Sequence, residues 1–118
     1  MDSAFRPLDA RERELLEKLL EPEFQGRDEL RSQLISVTAK QIEEDGTLLL
    51  QCGPSPPAPV KYSALMEATC TDADGMTIAV LLHVDKDGFM HMLEIIKYDG
   101  SPIINLPTAR GLALIDPA

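Results

Sequence analysis

Residues 71–100, TDADGMTIAVLLHVDKDGFMHMLEIIKYDG, decide how this chain folds. Asp74-Gly75, Asp87-Gly88 and Asp99-Gly100 bracket two runs rich in Val, Ile, Leu and Met. Asp-Gly between apolar runs is a hairpin signal, because a type I′ turn needs positive φ at both central residues and these two residue types tolerate it best. The runs Met76–Asp85 and Phe89–Tyr98 are therefore expected to pair antiparallel. A two-residue turn at Asp87-Gly88 sets Val84 opposite His91, Leu82 opposite Leu93 and Val80 opposite Ile95, an apolar face suited to packing on helices. The reverse face then holds Ala79, Leu81 and His83 against Met92, Glu94 and Ile96. It too is largely apolar, which a sheet with one wet face does not need. Ile103, Ile104, Leu106, Leu112, Leu114 and Ile115 of the C-terminal segment are expected to cover it, with another chain as the alternative.

Upstream, Asp45-Gly46 separates the runs Ser36–Glu43 and Thr47–Cys52, and Lys61–Thr71 supplies a further run. Together these read as an antiparallel meander of about five strands over residues 35–100. Gly53-Pro54-Ser55-Pro56-Pro57-Ala58-Pro59 interrupts it; prolines cannot donate to a ladder, so this stretch is a stiff connection. Residues 1–34 read as helical. Asp9 followed by Glu12 is a capping box, and Leu15, Leu16, Leu19 and Leu20 form one helical stripe that Pro22 ends. A shorter helix from Arg27 to Leu34 opens on Gly26 and turns Leu30 and Leu34 inward. The expected fold is a single α+β domain over 1–118, with two N-terminal helices packed on one face of the meander and an extended segment over 101–118.

At 118 residues, 44% hydrophobic and 26% charged, the chain is long enough for a real core and has a globular composition. Trp is absent and only three Phe and two Tyr are present, so that core is aliphatic. Twenty acids against eleven Lys and Arg give a net charge of -9, and the larger part of the excess lies beyond residue 34, where eleven acids face five bases. Such a field repels phosphate, so nucleic acid and anionic membrane are excluded as partners while a basic protein is permitted. Neither a signal peptide nor a bilayer-spanning run is legible, and Cys52 and Cys70 read as reduced thiols; the expected location is the cytoplasm.

Motifs that could carry chemistry read more simply as structure. Asp72-Ala73-Asp74-Gly75 and Asp85-Lys86-Asp87-Gly88 open like calcium loops, but position five holds Met76 or Phe89 and position twelve His83 or Ile96. They read as turns. His83 and His91 fall on opposite faces in the expected register, and the thiols lie singly, so no metal site is expected. Nothing flanking Cys52 or Cys70 supports a nucleophile–base pair, and Cys70 reads as a small buried residue. Pro54-x-x-Pro57 and Pro56-x-x-Pro59 have polyproline-ligand spacing but lack an internal basic residue, so they read as a loop. No phosphate loop, hydrolase elbow or other cofactor signature is present.

The segments Leu19–Asp28, Val80–Val84 and Leu93–Ile103, with Leu106-Pro107, resemble a family of small uncharacterised bacterial proteins, a domain of unknown function, from about Arg6 to Leu106. In size and charge the chain also resembles bacterial immunity proteins. That likeness implies a small acidic protein-binding module, of the type that neutralises a toxin. Its candidate contacts are Asp72, Asp74, Asp85 and Asp87, which would meet a basic partner, with Leu81, Met92 and Ile96 as an apolar alternative. A homodimer through the second sheet face is compatible with this. The alternative is a small ligand-binding protein or enzyme using His83, Glu94 or a cysteine in a sheet-lined pocket.

Overall fold

Helix α1 (Ala10–Leu19) starts where the sequence sets its cap. In the computed structural model, which describes residues 1–60 and 64–115, the amide of Glu12 donates to Asp9 Oδ1 at 2.8 Å and that of Asp9 to Glu12 Oε1 at 2.9 Å. Glu12 is buried, and Arg6 grips it through two guanidinium nitrogens at 2.6 and 2.8 Å. Burial alone would raise the Glu12 carboxyl; the Arg6 guanidinium and the Asp9 amide together hold it below its usual range. The same contacts tie strand β1 (Arg6–Pro7) to the start of α1.

Helix α2 (Arg27–Gln33) follows from Gly26. Then come β2 (Thr38–Gln41), β3 (Leu48–Gln51), β4 (Ala64–Thr71), β5 (Thr77–Val84), β6 (Met90–Lys97), a 3-10 turn at Ala109–Gly111 and β7 (Ala113–Ile115). They form one seven-stranded sheet, antiparallel at every pairing, in the order β1-β2-β3-β6-β5-β4-β7.

The α+β class stands, and the five-strand meander is corrected. Hairpin β2–β3 and the meander β4–β5–β6 are separate units, and β3 pairs with β6 rather than β4. The proline-rich connection cannot make a tight reversal, so it carries the chain across to the far side of the β4–β6 unit, and the edge of β6 left open accepts β3. Two short strands, unread in the sequence, complete the edges. The start of the run Lys61–Thr71 and the last three residues of the C-terminal segment lie outside the described residues.

The turns are also corrected. At Asp72–Met76 the amide of Gly75 donates to Asp72 O and that of Asp72 to Met76 O; Asp85–Phe89 repeats the pattern. Three residues turn each corner and only the glycine has positive φ, so these are type I turns closed by a glycine bulge. Leu82 faces Leu93 and Val80 faces Ile95 as expected, but Val84 faces Met90. The extra residue, His91, forms a bulge between Met90 and Met92.

One aliphatic core joins all the layers. Leu15, Leu16, Leu19, Leu20 and Leu30 from the helices meet Met66, Ala68, Ile78, Val80, Leu82, Leu93 and Ile95 from alternate sheet positions. Leu112 belongs to this core, and Ile103 and Leu114 pack against it. The C-terminal segment therefore completes the helix side of the sheet and does not cover the reverse face. Gln33 clips the far end: buried, it donates to Pro56 O and Gly88 O at 3.1 and 2.9 Å and accepts from Met90 N at 3.0 Å.

Candidate functional site

Because side chains alternate along a strand, filling one face with the core sends every second residue to the other. Register fixes what meets there. Lys40 faces Leu49, Leu49 faces Met92, Met92 faces His83, Leu81 lies between Glu67 and Glu94, and Ile96 faces Ala79. Glu67 in turn faces Ile115 of β7, which is 46% exposed. Leu49, Leu81 and Met92 are half-buried and Ile96 is 41% exposed. The structure thus brings the three apolar candidates Leu81, Met92 and Ile96 together on one open face.

His83 and Glu94 share that face, with Nε2 and Oε1 2.8 Å apart. The bulge swings His91 toward them, so that its ring centroid is 6.3 Å from that of His83. The expectation that the two histidines point to opposite faces is corrected. Among the described residues no group of three His, Cys, Asp or Glu has an arrangement able to hold a metal ion.

At one end the face deepens into a groove. The β3–β6 ladder stops after two residue pairs, Leu49–Met92 and Leu48–Leu93, while β6 runs four residues further. Buried Thr47 closes the ladder with its side chain: Oγ1 accepts from Ile95 N at 3.0 Å and lies 3.4 Å from Ile95 O. Beyond it the chain diverges into the Glu43–Gly46 turn, leaving a groove of about 860 Å³ between that turn and residues 100–103. Its floor includes Ile42, Met92 and Ile96, and its rim carries Glu43, Glu44, Asp45 and Glu94. Lys97 also borders the groove, but its ammonium is engaged elsewhere.

That engagement places two of the acidic candidates. Lys97 Nζ, with its side chain 2% exposed, donates to Asp72 Oδ2 at 2.8 Å, Asp74 Oδ2 at 2.7 Å and Pro102 O at 3.0 Å. Asp72 further accepts from the amides of Ala73, Ile104 and Asn105 at 2.8–2.9 Å. Its carboxyl is held far below the usual range by Lys97 first and then by these amides. Lys97 is raised in turn by Asp72 and Asp74. Asp72 is an internal latch holding residues 102–105 against the β4–β5 hairpin, and burial leaves it no surface to offer a partner. Asp85 Oδ1 accepts from Asp87 N and Phe89 N, a turn contact, and Asp87 itself is exposed.

Cys52, Asp85, Phe89 and His91 border a second hollow of about 480 Å³. Burial pushes the Cys52 thiol up, and it contacts Gln33 Oε1 and Met90 O at 3.6 and 3.7 Å, an arrangement that favours the thiol over the thiolate. Burial raises Cys70 likewise. Sequence reasoning missed Glu43, Glu44, Asp45 and Thr47 as site residues. The signal was there: three consecutive acids ahead of Gly46, at a turn next to a strand that stops short.

Fold and site together define an α+β protein with an antiparallel sheet closed on one face by helices and open on the other. Residues 5–107 match the family described as domain of unknown function DUF6984, and the chain belongs to that family. Comparison with curated proteins and with solved structures found no match.

Proposed function

We propose that this chain is a binding module whose open sheet face docks a protein partner. The observation that carries the reading is the combined placement of Leu49, Leu81, Met92 and Ile96 on the side the helices leave bare, while the apolar C-terminal residues Leu112 and Leu114 go to the other side. A sheet face meant only for water would carry polar residues at these positions. Glu67, Glu94 and the Glu43–Asp45 turn make the surroundings acidic, which suits a basic partner. The net charge of -9 and the small size fit an immunity-type role, in which the partner is a toxin domain.

The test is capture on the immobilised chain, followed by calorimetry with the purified partner against the wild type, Leu81→Glu and Leu49→Glu. The expected result is a partner bound by the wild type and weakened at least about tenfold by either substitution, since a buried apolar contact is worth roughly 1.5–3 kcal/mol. The reading fails if no partner is captured, or if both variants bind it as the wild type does while keeping their thermal midpoints.

A second reading rests on the His83–Glu94 contact: a small ligand held at the groove by a histidine that a carboxylate orients. Glu94 lines the groove. Ligand-induced changes in the His83 ring resonances, lost in Glu94→Gln, would support it, and a library screen that leaves those resonances unmoved would end it.

A further inference from the structure

The groove beside the Glu43–Gly46 turn has an unusual division of labour. Its floor is aliphatic, and Ile96 on that floor is 41% exposed. Its rim is anionic, with Glu43, Glu44, Asp45 and Glu94. The one lysine bordering it, Lys97, has its ammonium turned into the latch with Asp72 and Asp74. Among the described residues, Glu43, Glu44 and Asp45 form no ion pair; Asp45 Oδ1 accepts only from Thr47 N at 2.9 Å, and Glu94 meets only His83. The fold has thus withdrawn its one bordering lysine from the groove and left the rim carboxylates without an ion pair to Lys or Arg among the described residues, with Met1 also bordering the groove.

Building on the docking reading above, we propose that this groove receives an extended segment of the partner protein carrying lysine or arginine side chains. Charge complementarity selects that occupant. The aliphatic stem of such a side chain covers Met92 and Ile96, and its cationic head reaches the rim carboxylates. A volume of about 860 Å³ holds several side chains of a peptide. The groove is lined by the stretch of β6 past the point where β3 leaves it, a run of extended strand beside which an extended backbone can lie.

The test uses a fluorescein-labelled peptide of alternating arginine and valine, and its counterpart with glutamine for arginine, titrated with the full chain by fluorescence anisotropy. The combined variant Glu43→Gln, Glu44→Gln, Asp45→Asn neutralises the rim while keeping the Asp45 turn acceptor. The combined variant Glu14→Gln, Glu17→Gln, Glu21→Gln makes the same charge change at exposed positions of α1 and just beyond its end, and serves as the control. The expected result is that the arginine peptide binds more tightly than the glutamine peptide, that the rim variant weakens it about tenfold, and that the α1 variant changes it less than twofold. Equal binding of both peptides, equal losses in the rim and α1 variants, or unchanged binding in the rim variant each overturns the proposal. So does concentration-dependent self-association by light scattering that Ile96→Glu abolishes, which would put a second copy in the groove. Leu81 lies outside the groove, so a Leu81→Glu variant that loses the partner alongside a rim variant that keeps it sinks the groove and spares the docking face.

Discussion

Replacing Gly88 and Gly75 separately by alanine separates backbone conformation from packing, because the two glycines occupy equivalent turn positions. Their φ values are 89° and 84°. A side chain at such a φ costs roughly 1–2 kcal/mol at either site. Their surroundings differ. A Cβ on Gly75 meets nothing within 4 Å, whereas one on Gly88 comes 2.8 Å from Ala58 N and closer still to Ala58 O. The obstacle there is main chain and cannot rotate aside. To admit a methyl group the proline-rich connection must lift. That breaks the hydrogen bond from Ala58 N to Gly88 O, at 2.8 Å, and strains the one from Gln33 Nε2 to the same oxygen, at 2.9 Å. Each buried bond lost costs about 1–3 kcal/mol. Gly75→Ala should therefore destabilise by roughly 1–2 kcal/mol, and Gly88→Ala by roughly 3–6 kcal/mol, a large share of the 5–15 kcal/mol typical of a domain. Urea unfolding followed by circular dichroism reads the difference as a midpoint shift of about 1–2 M at a common slope. Equal midpoints for the two variants would refute the idea that the connection is clamped onto the β5–β6 turn.

Asp72 makes acid stability predictable in sign. Its carboxyl is depressed below the ordinary 3.8, so its contribution is present above that value and is lost as pH falls through the folded-state value. Thermal midpoints of the wild type between pH 7 and pH 2 should fall more steeply below about pH 4 than those of Asp72→Asn, and parallel curves would contradict the latch. Lys97 works in the opposite direction: raised above 10.5, it stabilises fully below that pH and ceases to as pH rises through the folded-state value, so Lys97→Met should flatten the alkaline limb. Gln33→Leu leaves the Met90 amide and Pro56 O without their partner, and Gly88 O with Ala58 N alone, and should cost about 2–4 kcal/mol by urea titration; a loss under about 0.5 kcal/mol would show that Gln33 does not hold the clip. Both thiols are pushed up by burial, so at pH 8 they should react with a disulfide reagent more slowly than in the urea-unfolded chain, and equal rates would show them open.

Local signals were legible wherever a few adjacent residues settle the geometry. The capping box at Asp9 and Glu12, the leucine stripe of α1, Gly26 at the entrance to α2 and the Leu82–Leu93 and Val80–Ile95 pairs all follow from spacing alone. Strand order was not legible. Whether β3 joins β4 or β6 depends on where a proline-rich connection leads, and its composition says only that it is stiff. At the β5–β6 corner the turn takes one residue more than expected, and the His91 bulge restores the expected register from His83–Met92 inward. At Asp87-Gly88 the two-residue reading misplaced His91 and hid its approach to His83. The destination of the C-terminal leucines was hidden for a similar reason. Leu112 and Leu114 could serve either face, and the choice is made by pairing of β7 with β4, a contact some forty-five residues apart in the chain that spacing does not encode.

Net charge misled in an instructive way, because it does not distinguish charge consumed by the fold from charge left for others. Aspartate, with one methylene, reaches its own neighbouring amides, so aspartates collect at corners. Asp72, Asp74, Asp85 and Asp99 all give oxygens to nearby backbone N–H groups, and the first two also neutralise Lys97. Glutamate reaches past its local amides and is seldom engaged this way. Glu43 and Glu44 follow that rule at the groove, and Glu67 does so on the sheet face, where it stands next to Leu81 and Ile115. Of the paired Asp-x-Asp-Gly turns, which look most like a binding motif in the sequence, the first has its charge neutralised by Lys97, while in the second Asp85 accepts from turn amides and Asp87 stays exposed. The unremarkable glutamates Glu43 and Glu44 border exposed Ile96 and half-buried Met92 and form no ion pair among the described residues. A partner attracted by the field of this chain would be oriented toward the bare face of the sheet, where apolar area and unneutralised carboxylate coincide.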